Sequence, residues 1–311
     1  MNVVINLDKP KGITSQQAVT RVKRILGAKR AGHAGTLDPI ATGILLVCVG
    51  EATKITRFLM GFDKEYVVLM KLGEKTDTLD AEGRVVRRTD GTRVGKEEFK
   101  QALGEFEGPI VQTPPMYSAV KVQGEPLYKL ARKGIEIERA GRNVTIHSVE
   151  LTRFEPPWIG IRVLCSKGTY IRTLCDDIGD RLDVGAHMVE LRRTLTGNFS
   201  VLDALSFEEL EGLHRGGALT GIRERRPVSA ADTEKRRGVS TIDEALRELD
   251  DLVLTEAEFA KARNGSSFRR QGVDSGEETF VRLKDPQGTL FAIGKVMKGT
   301  IKIERILYVR D

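Results

Sequence analysis

A single carboxylate, Asp38, stands in Gly32-His33-Ala34-Gly35-Thr36-Leu37-Asp38-Pro39-Ile40-Ala41-Thr42-Gly43, a glycine-dense turn between a basic stretch and the apolar run Ile44 to Val49. Glycine lets a backbone take conformations closed to other residues or approach a ligand closely, and Pro39 fixes the chain directly after the acid. An acid aimed in this way is a candidate nucleophile or general base. Asp before Pro is also an ordinary turn initiator, so the chemistry needs support from elsewhere in the chain. Phosphotransfer fits poorly, because the second acid expected two residues on is Ile40 and the chain has no Gly-Lys-Ser/Thr phosphate loop. Histidines 33, 147, 187 and 214 lack the paired spacing of metal ligands, and Asp77 and Asp80 lack the regular oxygen spacing of a calcium hand. No metal is expected.

The elements that must position Asp38 follow from periodicity. Val3 to Leu7 reads as a strand. Thr14-Ser15-Gln16-Gln17 starts a helix with Ala18, Val22, Ile25 and Leu26 on one face, ended by Gly27, so its basic residues point outward. Ile44 to Val49 reads as a buried strand, followed by a short helix around Ile55, Phe58 and Leu59 and a strand from Glu65 to Leu72. A helix over Lys96 to Phe106, a proline-rich loop at Pro109 to Pro115, and strands near Ser118 to Val122, Asn143 to Phe154 and Ile159 to Cys165 come next. Gly168-Thr169 is then expected to cap a helix whose core stripe is Ile171, Leu174, Cys175, Ile178 and Leu182, with Tyr170 and Arg172 off that stripe. Strands and helices do not alternate regularly, which favours an α+β architecture.

Residues 212–240 are rich in Gly, Arg, Ser and Thr and read as a connection between two domains. Beyond them lie two short helical patterns and strands at Thr279 to Lys284, Leu290 to Val296 and Ile301 to Val309, the first two joined by the turn Asp285-Pro286-Gln287-Gly288.

The 311 residues are 40% hydrophobic, enough for a sizeable core and more than one domain. Cys48, Cys165 and Cys175 lie in apolar or helical contexts and are expected as reduced thiols. No apolar run reaches the roughly 18 residues of a membrane span and the N-terminus lacks a secretory pattern, so a cytoplasmic location is expected. Net charge is +6, and residues 9–30 carry seven basic side chains and no acid, while 215–238 carry a basic excess of four. Two such clusters favour a polyanion, nucleic acid rather than membrane. An RNA-binding protein whose aspartate merely shapes a turn would share this composition.

Six ordered segments point further: Lys9-Pro10-Lys11-Gly12-Ile13-Thr14-Ser15, Gly32 to Leu45, Lys64-Glu65-Tyr66, Thr76-Asp77-Thr78-Leu79-Asp80-Ala81-Glu82-Gly83, Lys167 to Leu174, and Leu191-Arg192-Arg193-Thr194 with Gly197-Asn198-Phe199. Together they resemble the bacterial tRNA pseudouridine-55 synthases of the TruB type, over residues 9–199. The resemblance implies a pseudouridine synthase fold, with a mixed, mainly antiparallel central sheet flanked by helices. It also implies a division into a catalytic domain (1–211), a basic linker (212–240) and a small β-rich PUA-like RNA-binding domain (241–311).

By the same resemblance Asp38 is the catalytic aspartate, Tyr66 stacks on the target base and Arg172 pairs with the aspartate. Tyr170 and Leu191 line the pocket, His33 lies near the RNA backbone, Asp80 is an active-site acid and Lys9 is a basic residue close to the RNA. The implied substrate is the uridine at position 55 in the T-arm of tRNA, with no cofactor and no protein partner required of a monomer. Breaking the uracil N1–C1′ bond and joining C5 to C1′ is redox-neutral, and one carboxylate suffices, as nucleophile at C1′ or C6 or as base at C2′. Burial would protonate such an acid and a neighbouring arginine would oppose that. A uridine inside a folded loop must be flipped out at a cost of a few kcal/mol, which stacking on the Tyr66 ring can offset.

Overall fold

The computed structural model describes residues 1–311 apart from 119, 123, 220–235, 271, 274–277 and 308–311. A ten-stranded sheet dominates it. Its main order is Val239–Ser240, Val3–Lys9, Thr42–Val49, Ala186–Thr196, Lys64–Leu72, Trp158–Cys165, Arg142–Glu155 and Gly108–Gln112, with Ala31–Ala34 and Phe199–Ser200 added as short side strands. All neighbours run antiparallel except Thr42–Val49 and Ala186–Thr196, which are parallel through Arg192 opposite Thr42 and Arg193 opposite Gly43. The expected mixed, mainly antiparallel sheet is what forms.

Alternate residues of a strand face opposite sides of a sheet, and here both sides are covered. Val3, Ile5, Leu7, Leu45, Val47 and Val49 pack into a core with the helices Ser15–Ile25 and Ile171–Arg181. Their neighbours Val4, Ile44, Leu46 and Cys48 face a second core shared with Ile242, Leu246, Leu290, Ile293 and Leu307. The C-terminal residues thus form a five-stranded sheet, Asp251–Val253, Thr279–Lys284, Leu290–Met297, Thr300–Ile306 and Phe268–Arg269, one of whose strands lies against the back of the large sheet.

Helix Ser15–Ile25 starts where expected, with a capping box between Thr14 and Gln17. Gly288 N–H donates to the Asp285 carbonyl, 2.8 Å, closing the expected turn.

Other boundaries differ for local reasons. Gly108–Gln112, inside the expected proline-rich loop, is the outermost strand of the sheet, where a proline's missing N–H leaves no central ladder broken. The strand near residue 120 shrinks to Lys121–Val122, and the last strand runs Thr300–Ile306, with 308 and 309 of the expected strand outside the described residues. The helix at 171 begins after Tyr170 with no side-chain cap, because the Thr169 hydroxyl donates backward to the Ser166 carbonyl, 2.9 Å. Within the expected linker, residues 220–235 lie outside the described residues; helix Phe207–Arg215 enters it and Val239–Ser240 leaves it as an edge strand paired with Val3–Lys9.

Candidate active site

Asp38 sits on the loop between Ala31–Ala34 and Thr42–Val49, and the chain on either side of it is pinned. Ser15, buried at the helix start, donates its hydroxyl to the Leu37 carbonyl, 2.9 Å, and accepts the Leu37 N–H, 2.8 Å. On the far side Gly12 N–H donates to the Pro39 carbonyl, 2.8 Å, and Ala41 N–H to the Asp38 carbonyl, 3.1 Å. The Lys9 ammonium, fully buried, donates to the carbonyls of Pro10 and Ile13 at 2.9 Å each and of Pro39 at 3.5 Å. Lys9 is therefore an internal clasp between the first loop and the acid loop, with its three N–H groups directed at backbone. Burial holds its ammonium down to about 8, against the attraction of Asp38.

Arg172 organises the centre. It lies on the first turn of helix Ile171–Arg181 but is only 5% exposed, so it is part of the buried surface rather than a free residue off the core stripe. Its Nε is 3.0 Å from Asp38 Oδ2 and its Nη1 is 3.3 Å from Asp80 Oδ2. Nη1 also donates to the Thr78 carbonyl, 3.1 Å, and Nη2 to the Tyr117 carbonyl, 2.8 Å. Asp80 is fixed in turn by the Thr78 hydroxyl, 2.6 Å, and the Glu82 N–H, 3.1 Å.

The Asp38 side chain keeps 36% of its surface exposed, so one side of the carboxyl stays open beside the buried guanidinium. Its carboxyl lies above the ordinary aspartate value: burial raises it, Arg172 and Lys9 oppose that, and Asp80 adds repulsion. The arginine expected to keep the acid ionised is present, and its effect is divided between two carboxylates.

Tyr66 lies in Lys64–Leu72, directly opposite Arg193 of the neighbouring strand, and is nearly buried, its hydroxyl raised above the usual tyrosine value by burial and lowered in part by Arg193. Leu191, opposite Val68, is buried in the same strand as Arg193. His33 pairs with Val47 in the sheet; its Nδ1 is enclosed without a hydrogen-bond partner, and burial and Arg193 keep the ring's proton affinity below normal. Tyr170 is the residue that starts the Arg172 helix.

The fold therefore joins Asp38, Arg172 and Asp80 by direct contact. Lys9 and Tyr66 lie close enough to feel the Asp38 charge, His33 and Tyr66 feel that of Arg193, and Leu191 and Tyr170 are placed by the Arg193 strand and the start of the Arg172 helix.

Three further residues complete this framework. Arg193, 1% exposed, donates from Nε to the Ile44 carbonyl, 2.7 Å, and from Nη2 to the Gly35 carbonyl, 3.2 Å, and among the described residues no carboxylate lies within ion-pair distance of it. Its two-residue spacing from Leu191 on one strand face was the available signal. Gln112, at the end of the outermost strand, bonds the Tyr170 backbone, and Ser15 fastens Leu37. Neither has a signal in local sequence beyond its polarity.

Residues 23–171 match the family model of the TruB family pseudouridylate synthase (N terminal domain), and residues 172–222 that of the tRNA pseudouridylate synthase B C-terminal domain. A Clostridium tetani protein named tRNA pseudouridine synthase B is 50% identical over 210 residues, 68% of this chain and 73% of that protein. One of the same name from Saccharophagus degradans is 41% identical over 308 residues, 98% of this chain and 95% of that protein. Among solved structures, a chain of "Crystal Structure of a Cbf5-Nop10-Gar1 Complex" aligns with TM-score 0.75 and 30% identity over 99% of this chain and 86% of that one. A chain of "Structure of H/ACA RNP bound to a substrate RNA containing 2'-deoxyuridine" aligns with TM-score 0.73 and 27% identity over the same shares. With near-complete coverage in both directions and the acid loop inside the matched segment, the chain belongs to the TruB family of tRNA pseudouridine synthases.

Proposed function

We propose that this chain isomerises uridine to pseudouridine at position 55 in the T-arm of tRNA, with Asp38 as the essential acid. The observation that carries the reading is the Asp38–Arg172 ion pair: a partly open carboxylate, held on a pinned loop, against a buried guanidinium that also bonds Asp80 and the carbonyls of Thr78 and Tyr117. The reaction breaks N1–C1′ and forms C5–C1′; N1 gains a proton and C5 loses one, so atoms and electrons balance without an added reactant. Asp38 acts as nucleophile at C1′ or C6, or as base at C2′, and the arrangement serves each route.

The remaining residues take roles fitted to their positions. The Tyr66 ring stacks on the flipped base, and its hydroxyl, beside Arg193, helps to remove the C5 proton by passing its own proton on as it accepts that one. Leu191 and Tyr170 line the base pocket, His33 meets the RNA at the strand edge, Asp80 orients Arg172, and Lys9 acts on the RNA through the loop it clasps. Residues 1–211 form the catalytic domain, 212–240 a basic linker, and 241–311 a PUA-like domain that adds RNA contacts. The chain acts in the cytoplasm as a monomer and needs no protein partner; among the described residues no helix is long and apolar enough to cross a membrane.

The test is tritium release from an unmodified tRNA transcript labelled at uridine C5, with native protein and Asp38→Ala in parallel and the modified position mapped. Release by the native chain alone, mapped to the T loop, is expected. Binding of tRNA without release by the native chain would replace this reading with that of an RNA-binding protein.

A further inference from the structure

The side chain of Gln112 makes an unusual use of its amide. Its Oε1 accepts the Tyr170 N–H, 3.0 Å, and its Nε2 donates to the Tyr170 carbonyl, 3.3 Å, so that one side chain holds both backbone groups of one residue. A carboxamide offers a donor and an acceptor side by side, which suits it to both groups at once. Gln112 is 2% exposed, at the end of the outermost strand. Five residues later the same segment supplies the Tyr117 carbonyl that receives Arg172 Nη2.

The helix that begins at Ile171 has no side-chain cap, and so the amide stands where a capping residue would otherwise fix the chain's entry. Among the described residues Gln112 alone receives the Tyr170 N–H, while the Tyr170 carbonyl also accepts the Leu174 N–H, 3.1 Å, as the first bond of the helix; the two positions set here are Tyr170 itself and, two residues on, Arg172.

We propose that Gln112 is a positioning residue for the isomerisation: by holding both backbone groups of Tyr170 it sets the start of the Arg172 helix, and through it the placement of the guanidinium on Asp38 and of the Tyr170 side chain at the pocket rim. The inference rests on the proposed reaction for its kinetic readout, but its geometric core concerns only the Arg172–Asp38 contact.

The experiment therefore has two arms, on the full chain. In the first, Gln112→Met, which keeps the volume, and Gln112→Glu, which sets a second acceptor against the Tyr170 carbonyl, are compared with native protein for kcat, KM and tRNA affinity. Turnover is expected to fall about tenfold or more while affinity stays near native, because the loss is one of alignment.

In the second arm the Asp38 carboxyl is titrated by carbon-13 NMR without RNA. The groups facing it are Arg172, Lys9, Asp80 and Tyr66, and Arg172 is the strongest influence favouring ionisation, so loosening it moves the titration to higher pH. An unmoved titration with native turnover in both variants overturns the proposal, as does a turnover loss matched in Gln112→Met by a melting transition already complete at the assay temperature. If native protein fails to release tritium, the reaction proposed above fails while the titration arm still decides the role of Gln112.

Discussion

Arg172 and Asp80 meet at 3.3 Å with both side chains almost wholly enclosed, so that the guanidinium facing Asp38 is shared by two carboxylates. One cation cannot fully offset two buried acids, and the open one, Asp38, is left with its ionisation held above the usual range.

Asp80→Asn removes the repelling charge and leaves Arg172 to Asp38 alone. The acid limb of the kcat–pH profile, followed by single-turnover tritium release, is expected to move to lower pH. Turnover itself falls by about tenfold or more as the guanidinium loses one of its anchors. An acid limb in its native place would remove Asp80 from the electrostatics of the site.

Arg172→Met costs more than catalysis. It leaves Asp80 charged and enclosed without a cation, and the carbonyls of Thr78 and Tyr117 without a donor. Breaking a buried pair in this way costs about 3–5 kcal/mol, read by urea unfolding, with turnover lost. Arg172→Lys is not expected to restore activity, because a point ammonium cannot serve two carboxylates and two carbonyls at once.

Asp38→Asn tests the sign of the acid's contribution to stability. The folded-state carboxyl titrates above its unfolded value, so its contribution is fully present below the unfolded value and is lost as pH rises through the folded one. Asparagine does not ionise and escapes that loss. The variant's Tm is expected to exceed the native Tm at neutral pH, with the difference closing as pH falls; a lower Tm at neutral pH would contradict it.

Ser15→Ala removes both hydrogen bonds that hold Leu37. Leaving two buried backbone groups unpaired costs about 1–3 kcal/mol each. Because Leu37 precedes the acid, kcat is expected to fall more than tRNA affinity. Equal losses in both would mean that the loop is set elsewhere.

Gly43→Ala meets the parallel junction of the two central strands. Gly43 has φ +94°, and an added Cβ would stand 2.2 Å from the Arg193 carbonyl oxygen. Backbone cannot yield there without separating the strands, so a loss of about 4 kcal/mol or more is expected, seen as little folded protein or a greatly lowered Tm. A native Tm would show that the junction can open.

Elements with a local signature were legible: the helix start at Thr14 to Gln17, the apolar run after Gly43, and the strand from Glu65 to Leu72, which forms as Lys64–Leu72. So was the acid loop, because glycine, proline and aspartate in one turn are informative at short range. The strand Ala186–Thr196 was not, although it lies at the centre of the sheet. Two register shifts break its alternation, between Met188 and Glu190 and between Arg193 and Leu195, and adjacent arginines disguise its buried face. Arg193 reads locally as a surface cation and is enclosed only because strands from distant parts of the chain supply its carbonyls. Gln112 and Ser15 are of the same kind: polarity is visible in sequence, but the partner that gives it meaning is not.

That parallel junction also sets a timetable. Arg193 follows the carbonyl it binds, at Ile44, by 149 residues. At ribosomal rates of about 5–20 residues per second, roughly 7–30 s separate the emergence of the two. For that interval Thr42 and Gly43 lack their parallel partner, although Leu46–Val49 are already paired with Ala31–Ala34, and the acid loop lacks Arg193, while Arg172 emerges 21 residues before Arg193. A nascent chain stalled before the strand Ala186–Thr196 therefore has an acid loop not yet tied to Arg193 and a central strand whose first residues are still unpaired. The late arrival of a two-arginine strand ends both conditions together.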